Sequence, residues 1–408
     1  MKLSYDVVII GGGAAGFFTA INIAEKNPRL SVAVLEKTNK LLSKVKVSGG
    51  GRCNVTNQRE SPSELTKFYP RGEKKLYPIF KSFGTKEMRD WLESRNVKLK
   101  AENDQRVFPE TNSSQTIIDC FLKIANKHDI KIHQKSAIDS IKQEDAEWSV
   151  TAKEFVIRCD KLVIATGSSP SFWKVLKNLG LSVTPPVPSL FTFNIKDTRI
   201  SGLAGVAFEH CHVKIVGSKF QEQGPLLITH WGMSGPAILK LSARGALELA
   251  DLAYRFKVLI NFTKQSNKQV LEQLLEAKQN HQKKQVQNLA LFDIPKRFWI
   301  SLCEHCQIKK EQVFGELTKK QVNKLVEELS QGQYEVDGKS TFKDEFVTAG
   351  GVEIAEIDLN TFECKQFPNL YLAGEVLNID ALTGGFNFQA CWSAGWIISE
   401  HIRPKKII

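Results

Sequence analysis

Three glycines spaced as Gly11-x-Gly13-x-x-Gly16, between a β-branched run and a helix-forming run, constrain this chain more than any other feature. Asp6 to Ile10 reads as a buried strand, Ala14 to Ala24 as a helix and Ser31 to Leu35 as a second strand, a β-α-β unit of about 30 residues. In such a unit the first glycine permits the tight turn. The second lets the backbone approach a pyrophosphate, and the third lets helix and strand pack closely. The helix N-terminus then offers free N–H groups and a positive dipole end to phosphate. Glu36, 20 residues after Gly16 at the end of the second strand, can accept both hydroxyls of an adenosine ribose. A carboxylate there would repel a 2′-phosphate, so the site suits FAD or NAD better than NADP.

The far end of the sequence favours FAD. Ala165-Thr166-Gly167 closes one strand with small residues, Leu370 to Ala373 with Gly374 and Glu375 closes another, and Gly384-Gly385-Phe386-Asn387 opens a last helix, Phe388 to His401. Strand ends this far apart in sequence can converge on one extended cofactor at the carboxyl edge of a parallel sheet. The last helix would place its N-terminal amides where a reduced flavin carries negative charge.

Between these ends the pattern changes. Lys86 to Ser94 and Ser113 to His128 show helical spacing, Lys131 to Ser140 alternates as a strand, Trp148 to Ile157 looks like a hairpin, and Lys161 to Ala165 reads as a further buried strand. The prolines of Thr184-Pro185-Pro186-Val187-Pro188 mark a boundary, because proline cannot donate ladder bonds. Leu190 to Ile195, Val206 to Val216, Leu226 to Thr229 and Phe256 to Phe262 then read as short strands. Lys268 to Ser330 is helical with a break at Pro295, and Phe346 to Val352 returns to buried strand.

Composition narrows the class. Hydrophobic residues at 42% and charged residues at 25% are ordinary for a globular protein, and the apolar runs are too short to span a bilayer. The N-terminus enters a strand directly, with no room for a signal peptide, so the cytoplasm is the expected compartment. Eight dispersed cysteines are expected to be free thiols. With 56 lysines and arginines against 44 acids the net charge is +12, which favours anionic partners and says nothing of fold.

A longer motif adds a resemblance. Lys44-Val45-Lys46-Val47-Ser48-Gly49-Gly50-Gly51-Arg52-Cys53-Asn54-Val55-Thr56-Asn57 resembles the signature of the bacterial BaiN-type NAD(P)/FAD-dependent oxidoreductases. Arg106 to Pro109, Thr229 to Pro236, Thr348 to Val352 and the closing Gly374-Glu375 with Gly384 to Gln389 agree with it. The resemblance implies an α/β fold: a Rossmann-like FAD-binding domain formed by both termini (1–188 and 346–408), interrupted by an inserted β-barrel (189–263, completed by 331–345) and a small helical domain (264–330). It implies that Gly11, Gly13, Ala15, Gly16, Glu36, Lys37, Lys44, Asn54, Ile138, Thr166, Gly167, Gly374, Glu375, Gly385, Phe386 and Asn387 line the FAD. In one departure, Ala165 to Trp173 lacks the long glycine-rich stretch that many members carry after this strand.

Several residues invite a sharper role. Cys53 lies in the triple-glycine loop and is the one candidate for a catalytic acid, although a small packing thiol is at least as natural there. It has no second cysteine two to four positions away for a redox disulfide. Cys303-Glu304-His305-Cys306 and His210-Cys211-His212 lack further ligands at metal spacing, so no metal is expected. His230 beside Trp231 could approach a substrate.

The functional expectation is an FAD-dependent oxidoreductase with hydride passing through flavin N5. With no second glycine fingerprint, NADH or NADPH would visit only as a transient donor. Family relatives include a bile-acid-inducible flavin reductase, an aminoacetone oxidase and a ribosomal RNA dihydrouridine synthase. The partner is therefore a small-molecule substrate or ribosomal RNA, with no membrane, and uridine reduction in ribosomal RNA is the alternative reading. A non-catalytic flavin-binding sensor is the third.

Overall fold

Strand β1 (Lys2–Ile10) carries Val7, Val8, Ile9 and Ile10 into the interior at 0–4% exposure, and helix α1 (Ala14–Lys26) follows directly. Burying side chains of this size contributes about 1.5–3 kcal/mol each, which is why so apolar a run becomes the central strand. β2 (Val32–Leu35) returns parallel to β1, with Val7 opposite Val32 and Ile10 opposite Leu35. Helix α2 (Ser43–Gly51) is a short helix whose end unwinds at Ser48, Gly49 and Gly50. The architecture is that of a computed structural model, which describes residues 2–340 and 347–404.

Two compact units divide the chain: Met1–Val187 with Lys343–Ile408, and Pro188–Phe342. In the first, β3 (Lys131–His133) pairs parallel with β2, and β4 (Ile138–Glu144) and β5 (Glu147–Ala152) form a hairpin that feeds β6 (Phe155–Ile164). β6 lies parallel to β1 on its other side. β7 (Val183–Pro188) pairs with β8 (Thr348–Val352) in a separate two-stranded sheet, and β9 (Leu370–Leu372) joins β6 in parallel. The main sheet therefore runs Ile357–Asp358, Glu363–Cys364, β9, β6, β1, β2, β3. The closing helix, α3 (Phe386–His401), packs on α1 so closely that a Cβ on Gly395 would sit 2.7 Å from Thr19 Oγ1. Lys26 ion-pairs with Glu400, and Asn27 donates to the Ile402 carbonyl at 3.1 Å, so the two ends of the chain are stitched into one domain.

Some sequence expectations need correction here. Lys131 to Ser140 is two strands, because Lys135 takes a left-handed turn (φ +55°) that alternation cannot reveal. Lys161 to Ala165 is the end of a ten-residue strand that begins in the hairpin. The proline cluster does form a strand, on a two-stranded ribbon where an outer edge needs no donor. Of Phe346 to Val352, Phe346 lies outside the described residues.

The second unit is built on a seven-membered sheet in the order Gly332–Asp337, Arg255–Asn261, Ala207–Ile215, Gln221–Ile228, Gly232–Ser234, Thr192–Asn194, Lys339–Ser340. Its first and last members are one continuous segment bent at Gly338, so the sheet curls back toward its own start. The part of the expected barrel strand at 341–345 lies outside the described residues. Helices Asn267–Asn280, Lys296–His305 and Lys319–Gln331 share one core with this sheet, and Pro295 stands at the N-cap of the second of them. Helices Pro236–Arg244 and Ala246–Asp251 were not expected, although Pro236 at a first helical position, followed by Ala237, Ile238 and Leu241, was a readable start. Phe208, Phe262 and Phe298 meet at ring-centroid distances of 4.7–4.9 Å in the unit's own core. No helix among the described residues is long and apolar enough to cross a membrane.

Candidate flavin site

The glycine turn shows three different constraints. Gly11 has φ +117°, and a Cβ there would lie 2.2 Å from the Ala165 carbonyl oxygen. At Gly16 a Cβ would fall 1.9 Å from the Gly11 oxygen. At Gly13, the N-cap of α1, a Cβ would meet nothing within 4 Å. The first and third positions are closed by protein, while the second faces the open side, where a pyrophosphate needs room. Ala15 lies buried in the first turn of the same helix.

Glu36 extends beyond β2. Its Oε2 accepts the Gly12 N–H at 2.9 Å, and its Oε1 accepts the Thr38 N–H and hydroxyl, both at 2.9 Å. Each carboxylate oxygen keeps acceptor capacity for a ribose hydroxyl. The Ser136 N–H donates to the Glu36 carbonyl at 2.8 Å, which carries half-buried Ile138 alongside this end of the sheet. Lys37 is exposed at the same edge. Replacing Glu36 with glutamine sets an amide NH2 against the Gly12 or Thr38 N–H groups; FAD titrated against Glu36→Gln is expected to bind about tenfold more weakly.

On the other side of β1, Thr166 and Gly167 follow β6, and a Cβ on Gly167 would lie 3.8 Å from Glu375 Oε2. Glu375 ion-pairs with Lys44, and its Oε1 accepts the Thr348 N–H at 3.0 Å. Lys44 also donates to Ser168 Oγ at 3.2 Å. Gly374 abuts α1: a Cβ there would be 3.0 Å from the Ala15 methyl and 3.1 Å from Cys391 Sγ.

The triple-glycine loop is sewn to α3. With its amide oriented to satisfy both groups, Asn54 accepts the Gly385 N–H and donates to the Thr56 carbonyl, each at 2.9 Å. A Cβ on Gly385 would lie 2.4 Å from the Thr56 oxygen, so only glycine allows this approach. Trp392 Nε1 donates to the Val55 carbonyl at 2.8 Å, and Asn57 donates to the Gly384 carbonyl at 3.0 Å. Phe386 stacks on Phe68 at 4.2 Å, and the Asn387 amide both accepts from and donates to the Ala381 backbone (2.9 and 3.0 Å). These two side chains hold the turn, and what they leave for a ligand is the backbone N–H groups of the first turn of α3.

Cys53 is fully buried, and burial pushes its thiol up to about 12 against a partly opposing hydrogen bond with Ser48. A thiol so placed holds its proton. Alkylation of the folded protein at pH 8, read by mass spectrometry, is expected to leave Cys53 unmodified, and Cys53→Ala is expected to retain its flavin. Full turnover in Cys53→Ala would end its candidacy as an acid.

Sequence reasoning missed Ser136, Ser168, Thr348 and Cys391. Thr348 lay within a quoted motif, but nothing in the sequence tied it to Glu375. The Thr166 and Thr348 hydroxyls are buried without a hydrogen-bond partner, a costly state that a polar ligand relieves. With the open face at Gly13 and the free amides of α3, this donor and acceptor set fits an FAD laid across the strand ends. Glu36 would hold the adenosine, the turn and α1 the pyrophosphate, and the Thr166, Glu375 and α3 region the flavin. When bound, FAD supplies two-electron hydride chemistry.

Fold and site define a flavin-dependent oxidoreductase with a Rossmann-type dinucleotide domain. The chain belongs to the family described as HI0933-like protein Rossmann domain, which matches residues 5–401. It is 28% identical to the ribosomal RNA dihydrouridine synthase of Escherichia coli (strain K12), over 98% of this chain and 99% of that one. It is 25% identical to the 3-dehydro-bile acid delta(4,6)-reductase of Clostridium scindens, over 95% of this chain and 97% of that one. Among solved structures, the 3-ketosteroid-delta4-(5alpha)-dehydrogenase of Rhodococcus jostii RHA1 shares the fold, with a TM-score of 0.51 and 12% identity over 97% of each chain.

Proposed function

We propose that this protein uses FAD to reduce a carbon–carbon double bond conjugated to a carbonyl, and that the substrate is a uridine of ribosomal RNA. The observation that carries the reading is the end-to-end similarity to the E. coli dihydrouridine synthase, joined to a site whose donors and acceptors fit FAD. The +12 net charge supports an anionic polymer as substrate. The names of the two relatives described above fit one reaction type: in dihydrouridine the 5,6-double bond next to a carbonyl is saturated, and the other name is that of a delta(4,6)-reductase of a 3-dehydro-bile acid.

The chain's own groups have definite tasks in this scheme. Gly13 and the first turn of α1 seat the pyrophosphate. The amides of Phe386, Asn387 and Phe388 stabilise negative charge at the N-terminus of α3, an interaction strongest when water is excluded. The Lys44–Glu375 pair keeps the region beside Gly167 close to neutral.

NADH or NADPH serves as a transient donor in this reading. The test is to reduce the bound flavin anaerobically with each, reoxidise it with precursor ribosomal RNA and digest the RNA for mass spectrometry. Dihydrouridine at a single position, lost on deleting the gene, is the expected result; unchanged dihydrouridine in the deletion strain would sink the RNA reading. Reoxidation by a steroid enone and not by RNA would instead favour a small-molecule substrate, as the C. scindens relative suggests. RNA binding through six phosphate contacts is expected to weaken about 10³-fold or more between 50 and 200 mM salt.

A further inference from the structure

We infer that Thr348 is a further cofactor-contact residue, its hydroxyl reserved for the flavin half of bound FAD. The inference rests on the cofactor reading and is independent of the RNA substrate.

Seven threonines of the described chain are buried. Thr19, Thr56, Thr66, Thr85, Thr192 and Thr263 each donate their hydroxyl to a protein oxygen. Thr348, at 2% exposure, does not. A buried hydroxyl without a partner costs about 1–3 kcal/mol, a cost that a polar atom of a bound cofactor would relieve.

The residue is also held firmly. Its N–H is bonded to Glu375 Oε1 at 3.0 Å, the Gly350 N–H two residues on is bonded to Asn378 Oδ1 at 3.1 Å, and the Asn378 N–H returns to the Val352 carbonyl at 2.8 Å. β8 is thereby fixed along residues 375–378, and with it the backbone that carries the Thr348 hydroxyl.

Sheet order selects the half of FAD involved. Glu375, which holds Thr348, follows β9, whereas the ribose-binding Glu36 follows β2, and β6 and β1 lie between. Three strand spacings separate the two ends by about 14 Å. Adenosine at Glu36 leaves the flavin for the side where Thr348, Thr166 and Glu375 gather.

The experiment compares full-length wild type, Thr348→Val and Thr348→Ser after removal of bound flavin. Valine keeps the shape and deletes the hydroxyl. Three results are expected of Thr348→Val: the flavin-free protein melts about 2 °C higher, because an unpaired buried hydroxyl is gone; FAD binds about tenfold more weakly, with shifted visible absorption bands; and ADP, which has only the adenosine and pyrophosphate, binds as in wild type. Thr348→Ser, with the hydroxyl kept, should match wild type in FAD affinity and spectrum. Wild-type affinity and an unshifted spectrum in Thr348→Val overturn the inference, as does an equal loss of FAD and ADP, which would mark general damage to the site. Should Thr348→Val fail to fold, Thr348→Ala gives the same readouts. A wild-type chain that binds neither FAD nor ADP overturns the cofactor reading itself, and this assignment with it.

Discussion

Gly13→Ala is expected to fold almost as well as wild type and yet to emerge from purification colourless. Its Cβ would meet no protein atom within 4 Å, and its backbone (φ −94°, ψ −166°) is open to any residue. Alanine as N-cap costs under about 1 kcal/mol relative to glycine. The added methyl occupies the face that the pyrophosphate must approach, so FAD affinity should fall roughly 100-fold or more. Gly16→Ala is the control with the opposite origin. There the Cβ would fall 1.9 Å from a backbone oxygen, so α1 must move off β1, at roughly 3 kcal/mol or more, and flavin is lost because the fold is damaged. Melting the flavin-free proteins beside an FAD titration separates the two. A Gly13→Ala protein that binds FAD normally would show that the pyrophosphate does not lie on this turn.

Glu328→Ala is expected to give the largest loss of stability in the inserted unit. Glu328 is 4% exposed and pairs with Arg199, 7% exposed, and with Lys324 at 2.8 Å; His305 Nε2 lies at 3.3 Å. Arg199 also holds Asp197 at 2.6 Å and the Gln333 carbonyl at 2.5 Å, and lies 3.9 Å over the Tyr334 ring. Removing one member of such a set leaves a buried charge short of a partner, which costs about 3 kcal/mol or more. Burial raises the Glu328 and Asp197 carboxyls, but the hydrogen bond from Lys324 and the charge of Arg199 (for Asp197, its bonds with Arg199) outweigh it and hold both below their ordinary values. Carboxyls depressed in the folded state stabilise it above their unfolded pKa. The network's contribution should therefore be full from about pH 5 upward and fade as pH falls below about 4. Hydrogen exchange over 188–342 in urea, at pH 7 and pH 3.5, reads both effects. Equal protection of wild type and Glu328→Ala at pH 7 would contradict this account.

The parts of the site that were legible in sequence are those whose physics is local. The glycine turn, its helix and Glu36 lie within about 30 residues, and spacing alone assigns each a task. The far end was legible as punctuation: Gly167, Gly374 and Gly385 mark strand and helix ends that the structure brings near one another. What could not be read is how side chains divide their labour. Asn387 looks like a ligand residue beside a glycine pair, yet its amide closes the Ala381 backbone. Phe386 packs on Phe68, a partner more than 300 positions away that no local pattern names. Thr348 becomes conspicuous only when the six other buried threonines have been given their acceptors, and the half-buried Thr166 shares its lack of one. The split at Lys135 and the bend at Gly338 depend on backbone angles that alternation leaves open.

The stitching of Lys26 to Glu400 and Asn27 to Ile402 sets an order of events during synthesis. The first strand and its glycine turn leave the ribosome long before β9 and α3 exist to complete their side of the sheet. The segment 188–342 has its own core and can close while the tail is still being translated. A nascent chain that has released residues up to 342 but not those from 370 onward would display a finished insert and an unfinished cofactor fold, so yellow colour should arrive only with the last stretch of the polypeptide.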